Sequence, residues 1–129
     1  VTERSSGHKP SDDCDVYIVN TYGEMSKFLR LSNVTFIGGS LVNHGGQNPL
    51  EAVRMGNYVM HGKKVNNFKE IYKELKSLKI SSEIKNIDQM EKVFVKNHNY
   101  KISNSKLNKI NYLGAKIFEN NVKEIKNYL

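Results

Sequence analysis

Phe36-Ile37-Gly38-Gly39-Ser40-Leu41-Val42-Asn43-His44-Gly45-Gly46-Gln47-Asn48-Pro49-Leu50-Glu51 starts as the end of a strand, passes through two glycine pairs and enters a helix at Pro49. Glycines permit positive φ and let the backbone come close to a ligand. The start of a helix offers free N–H groups and the positive end of its dipole, where a phosphate can dock. The carboxyl ends of parallel strands are where α/β sheets bind ligands. The spacing fits neither a Walker loop nor the G-x-G-x-x-G dinucleotide fingerprint. Taken alone, these residues leave two readings open: a loop for an anion or sugar nucleotide, or a structural turn.

Working outward, short β-rich runs alternate with amphipathic stretches. Asp15-Val16-Tyr17-Ile18-Val19, Val34-Thr35-Phe36-Ile37 and Tyr58-Val59-Met60-His61 read as strands, with a weaker strand near Ile80–Ile84. Helices are expected over the run Met25 to Leu31, with a start placed near Tyr22, from Pro49 to Met55, from Asn67 to Leu78 and from about Asp88 to Lys96. In the third of these, Phe68, Ile71, Tyr72, Leu75 and Leu78 recur at helical spacing. This alternation predicts an α/β fold with a Rossmann-like parallel sheet flanked by helices. Beyond a polar connection, Ser105 to Leu129 carries Leu107, Ile110, Leu113, Ile117, Phe118, Val122 and Ile125 at helical spacing, a helix or helix pair long for so small a domain. Part of its stripe is expected to pack on the domain, with its lysines solvated.

Two helix starts have the form of capping boxes. Asn48 suits an N-cap, Pro49 the first helical position, and Glu51 can reach back to close the box. Thr21 and Glu24 repeat the pattern, although Gly23 inside a first turn would cost up to ~1 kcal/mol relative to Ala. Each box follows a candidate strand, so Glu24 and Glu51 would share one rim, where carboxylates can accept from sugar hydroxyls. Capping and ligand contact are both open for them.

Composition narrows the classes. The 129 residues are 38% hydrophobic and 26% charged, enough for one core. No apolar run reaches the roughly 18–20 residues of a membrane span. One cysteine, Cys14, excludes an internal disulfide, and its acidic neighbours argue against a nucleophilic thiolate. The scattered His8, His44, His61 and His98 have no metal-ligand spacing, so no metal site is expected. Ser40 lacks the G-x-S-x-G elbow of a serine nucleophile. The net charge of +7 is uneven: through Met60 five basic residues face six acids, and from His61 onward fifteen face seven. Only three of the twenty basic residues are Arg, the usual reader of bases, which argues against nucleic acid. Lys69, Lys73 and Lys76 read as the solvated face of their helix. The chain opens Val1-Thr2-Glu3-Arg4 without a methionine, as a fragment whose start lies upstream would.

Four stretches in register resemble one family. Asp15-Val16-Tyr17-Ile18-Val19-Asn20-Thr21-Tyr22-Gly23-Glu24-Met25 is similar to the "DVLLGDTMGEL" of bacterial 3-deoxy-D-manno-octulosonic acid (Kdo) transferases. Phe36 to Leu41 resembles their "FVGGSL", Gly45 to Glu51 their "GGHNPLE", and Gly56 to Gly62 with Asn67-Phe68 their "GKPVLFGP…NF"; Arg4-Ser5 corresponds to an arginine–serine pair ahead of the first strand. The resemblance implies part of the C-terminal, donor-binding domain of a GT-B glycosyltransferase, spanning residues 1–129 with a helical segment at 105–129. It implies transfer of Kdo from CMP-Kdo to a lipid A precursor at the cytoplasmic face of the inner membrane, inverting, with no cofactor or metal. Tyr22, Gly23, Glu24, Gly46, Asn48, Pro49, Leu50 and Glu51 would contact CMP-Kdo, with Ser40 a further phosphate contact. Glu51 would accept from ribose hydroxyls. No catalytic residue is expected here, because the base and the acceptor surface belong to the family's N-terminal half. Asn20 stands where the family has Asp, Tyr22 where it has Met and Gln47 where it has His. A GT-B transferase using another nucleotide sugar, or a non-catalytic basic module binding membrane or nucleic acid, are the competing readings.

Overall fold

The computed structural model describes residues 1–128 and is α/β. Its elements in order are β1 (Thr2–Glu3), β2 (Tyr17–Ile18), α1 (Met25–Leu31), β3 (Val34–Ile37), α2 (Leu50–Arg54), β4 (Tyr58–His61), α3 (Lys69–Ser77), β5 (Ser81–Glu83), α4 (Ile87–Asn97) and α5 (Asn104–Asn127). β3, β4 and β5 form a parallel sheet in that order, with Val34 opposite Tyr58 and Val59 opposite Ser81. All four residues of β4 are buried, as a central strand covered on both faces requires.

The alternation of side chains splits the interior in two. On one face Ile37 and Val59 join Leu50, Val53, Ile71, Leu75 and Ile110, carried by α2, α3 and α5. On the opposite face Val34, Phe36, Tyr58, Met60 and Ile84 meet Met90 and Val93 of α4. Local chemistry sets the later helix starts. Asn86 accepts from the Gln89 N–H at 2.9 Å while the Gln89 side chain accepts from Lys85 N–H at 3.0 Å, a reciprocal cap at the head of α4. Ser103 caps α5 by accepting from Lys106 N–H.

The structure corrects several expectations. The first strand is shorter than Val16–Val19 and does not join the main sheet; β2 pairs in parallel with β1 as a separate ribbon. Outside the main sheet its apolar residues stay uncovered, Val16 51% and Ile18 42% exposed. The first helix begins at Met25 rather than near Tyr22, because Gly23 has φ +77° and turns the chain ahead of it. The C-terminal stripe forms one continuous helix, not a pair. Ile110 is buried and Leu113 and Ile117 pack on the core, whereas Phe118 is 69% exposed, so the helix outruns the domain. The final Leu129 of the expected helix lies outside the described residues. Of the lysines on this segment, Lys109, Lys116, Lys123 and Lys126 are exposed as expected, and Lys106 is half-buried.

Candidate functional site at the glycine loop

The loop after β3 is anchored from beneath. Ser40 is fully buried, donates its hydroxyl to the Ile37 carbonyl and accepts from the Gly62 N–H at 2.8 Å. Its own carbonyl accepts from Lys64 N–H at 2.7 Å. Ser40 therefore clamps the exits of β3 and β4 together and lies inside, not on a ligand-facing rim. Gly46 is also committed: its N–H donates to the Gly39 carbonyl at 3.2 Å, and a Cβ there would crowd the backbone of Lys64 and Val65. Gly45 stands against the Asn67 side chain, and the backbone N–H of Asn67 donates back to the Gly45 carbonyl. Gly39, Gly45 and Gly46 all have positive φ, so the tight fold of the loop depends on them.

At the head of α2 the expected capping box does not close. Asn48 accepts from the Leu50 N–H at 3.0 Å, and Pro49 occupies the cap position with a backbone already helical. The side chain of Glu51, which was to reach back, makes no hydrogen bond or ion pair among the described residues, and Glu51 is exposed. With only five residues, α2 also has little dipole to offer an anion. What the loop presents is a free carboxylate, the unspent amide N–H₂ of Asn48, and the exposed Gln47, whose amide donates to the His44 ring at 3.2 Å.

The second box has become something else. Arg4 grips Glu24 bidentately through Nε and Nη2, both at 3.0 Å, and Thr21 donates its hydroxyl at 2.6 Å. Glu24 does not cap α1; it is oriented. Those hydrogen bonds, Arg4's foremost, hold its carboxyl down at about 2. A depressed carboxylate contributes stability that is complete above the ordinary carboxylate pKa and is lost as pH falls through about 2. Replacing Arg4 with Met is expected to return the Glu24 titration to the ordinary range, read by carboxyl NMR shifts; an unmoved midpoint would show that Arg4 is not the cause. Tyr22, on the turn just before, projects entirely into solvent.

Asn20 belongs to the same cluster. Its amide donates to Ser5 Oγ at 2.8 Å and to Glu3 at 3.2 Å while accepting from Ser5 N–H at 2.9 Å. An Asp there would lose both amide donations and face the Glu3 carboxylate. Arg4 and Asn20 were legible only through the resemblance. Asn57 was given no role of its own, falling within the Gly56–Gly62 stretch of the resemblance. It is fully buried, accepts from the Thr35 hydroxyl, and donates to the Leu29 carbonyl at 2.7 Å, so it ties α1 to the main sheet. α1 and α2 pack together, but only Glu51 follows a strand of the main sheet; β2, ahead of Glu24, belongs to the separate ribbon, so the two carboxylates do not share the rim of one sheet as expected. Among the described residues, no three His, Cys, Asp or Glu side chains come together as a metal site.

Known proteins resemble this chain in sequence and fold. No family model matches the chain. A 3-deoxy-D-manno-octulosonic acid transferase of Haemophilus influenzae is 39% identical over 72 residues, covering 56% of this chain and 17% of that protein. One from Rickettsia bellii is 31% identical over 127 residues, covering 98% of this chain and 26% of its own length. The crystal structure of the C-terminal CMP-Kdo binding domain of WaaA from Acinetobacter baumannii superimposes with a TM-score of 0.69 at 28% identity, over 74% of this chain and 50% of that one. The chain is similar to the C-terminal part of the Kdo transferases. The resemblance read from the four motifs is thereby borne out, as is the α/β class. The chain spans about a quarter or less of the length of these two curated relatives.

Proposed function

We propose that this chain is the donor-binding part of a Kdo transferase, a glycosyltransferase that moves Kdo from CMP-Kdo to a lipid A precursor in lipopolysaccharide synthesis. The observation that carries the reading is the exposed Glu51 carboxylate, released from capping duty beside the glycine loop, and the likeness of the chain's fold to a CMP-Kdo binding domain supports it. A free carboxylate at that place accepts from vicinal ribose hydroxyls, which present two donors at matching spacing. Asn48 donates from its free amide, and Tyr22 offers an exposed ring to the nucleotide. Glu24, fixed by Arg4 and Thr21, holds the neighbouring turn in one geometry. Gly23, Gly46, Pro49 and Leu50 shape the backbone around the donor, and Ser40 acts from beneath as a brace. The base and the acceptor surface come from residues beyond this chain, and the reaction uses no cofactor or metal. No helix among the described residues is long and apolar enough to cross a membrane. The proposed place of action is the cytoplasmic face of the inner membrane, where the acceptor lipid resides.

Glu51→Gln is the discriminating change. It is expected to weaken CMP about ten-fold, or ~1.4 kcal/mol, in isothermal titration with the whole transferase. Thermal stability should be unaltered, since the side chain bonds nothing in the fold. UMP titrated in parallel should bind more weakly than CMP. Equal CMP affinity for the wild type and the variant would remove Glu51 from the site, and equal affinity for UMP would favour another nucleotide sugar.

A further inference from the structure

The lysines of α3 do not face open solvent alone. They form one wall of a groove of about 1100 Å³ that runs along the edge strand β5 between α3 and α4. Lys69, Lys73 and Lys76 line it from α3, and Lys85 and Lys92 from the opposite side. Glu70 and Glu83 are the acids on its lining. None of the five lysines makes an ion pair among the described residues, where the salt bridges found are those of Glu24 with Arg4 and Lys27. Five unpaired ammonium groups around one concavity repel one another, and an anion seated there relieves that repulsion.

The floor of the groove carries a second, independent signal. Ser81 is 6% exposed, and its hydroxyl is buried without any hydrogen-bond partner. Buried polar groups are rarely left so, because the lost hydration goes uncompensated. On the neighbouring strand, opposite Glu83, His61 donates from Nδ1 to the Gly62 carbonyl at 2.8 Å and packs at a tilt against the Tyr72 ring, leaving Nε2 without a protein partner. The strand edge adds donors. Val59 N–H bonds the Ile80 carbonyl and Ile84 N–H bonds the His61 carbonyl, so the even-numbered residues turn their backbone to β4. The N–H groups of Ser81 and Glu83 therefore point away from the sheet. None of the residues assigned to the donor site lines this groove.

We infer that the groove is a second anion site, adjoining the glycine loop through Tyr72 and Val65 but lined by other residues than the donor site, that takes a phosphorylated ligand larger than a single phosphate. The lysines supply charge and the buried Ser81 hydroxyl donates to a phosphoryl oxygen. The absence of Arg from the lining suits a multiply charged, loosely held phosphate group rather than planar bidentate recognition. The same chemistry is offered by a soluble phosphorylated metabolite and by an anionic lipid headgroup.

The test titrates inorganic pyrophosphate into the whole chain at low salt by calorimetry. Wild type is expected to bind, the triple variant Lys73→Glu, Lys76→Glu, Lys92→Glu to bind at least ten-fold more weakly, and Ser81→Ala about three-fold more weakly with an unchanged melting temperature. Glu51→Gln should leave pyrophosphate affinity untouched. Co-sedimentation with phosphatidylglycerol vesicles, against phosphatidylcholine vesicles, separates the two sources. Vesicle binding displaced by pyrophosphate identifies a headgroup site, and pyrophosphate binding without vesicle binding identifies a soluble ligand. The inference is overturned if wild type does not bind pyrophosphate, if the triple variant or Ser81→Ala binds it as wild type does, or if Glu51→Gln abolishes it. Vesicle binding that pyrophosphate cannot displace overturns it equally.

Discussion

Gly62→Ala is expected to lower the stability of the domain by about 3 kcal/mol, the upper end for overpacking a close contact. A Cβ at Gly62 would run into the backbone carbonyl of Ser40 and the side chain of Leu41. The obstacle is main chain, and it cannot swing aside as the end of a side chain would. Ser40 is held from both sides, by Lys64 N–H on its carbonyl and by Gly62 N–H on its hydroxyl. Relief must come from parting the exits of β3 and β4, which loosens the whole glycine loop. The variant should therefore lose nucleotide affinity as well as stability. Urea unfolding followed by circular dichroism measures the first effect, and a denaturation midpoint equal to wild type would refute the clamp.

Asn57→Ala is expected to cost about 2–3 kcal/mol. The substitution removes both the acceptor of the Thr35 hydroxyl and the donor to the Leu29 carbonyl from a fully buried position. Leu29 keeps a longer bond from Ser32 N–H at 3.3 Å, which limits the loss. Asn57→Asp should be worse than Ala at neutral pH. It buries a carboxylate against the Leu29 carbonyl, and burial raises its pKa. Its penalty should shrink as pH falls and the acid becomes a donor in place of the amide. Thermal melts of the three proteins at pH 7 and pH 5 check this. An Asp variant as stable as wild type at pH 7 would mean that Asn57 bridges nothing of consequence. Because Asn57 fastens α1 to the sheet, both variants should also shift Glu24 relative to Glu51.

Much of this arrangement was legible in residue order. The run Val34 to Ile37, the wholly apolar character around Tyr58 to Met60 and the 3.6-residue period from Phe68 to Leu78 each specify an element whose type follows from local pattern. The four motifs also identified the resemblance, because their order and spacing were preserved. Capping was less legible. Asn48-Pro49-Leu50-Glu51 and Thr21-Tyr22-Gly23-Glu24 have the same outline, yet neither forms the reciprocal box. Asn86 and Gln89, which were not singled out, form a variant of it in which Gln89 reaches back one residue further, to the Lys85 N–H.

Local pattern alone determined the class of the fold, the periods of its helices, the glycine loop and the likeness to Kdo transferases. Those properties arise from residues near one another in the chain, where steric and hydrogen-bond preferences act without distant partners. Only the tertiary structure decided that Arg4 would claim Glu24, that Asn57 would bridge α1 to the sheet, and that Ser40 would be spent as a clamp. It also decided that lysines on α3 would face Lys85 and Lys92 across the edge of β5. Each of these pairs residues at least seven positions apart in the chain, and most far more. Their contact depends on which surfaces the packed core brings together, and no periodicity or spacing records that.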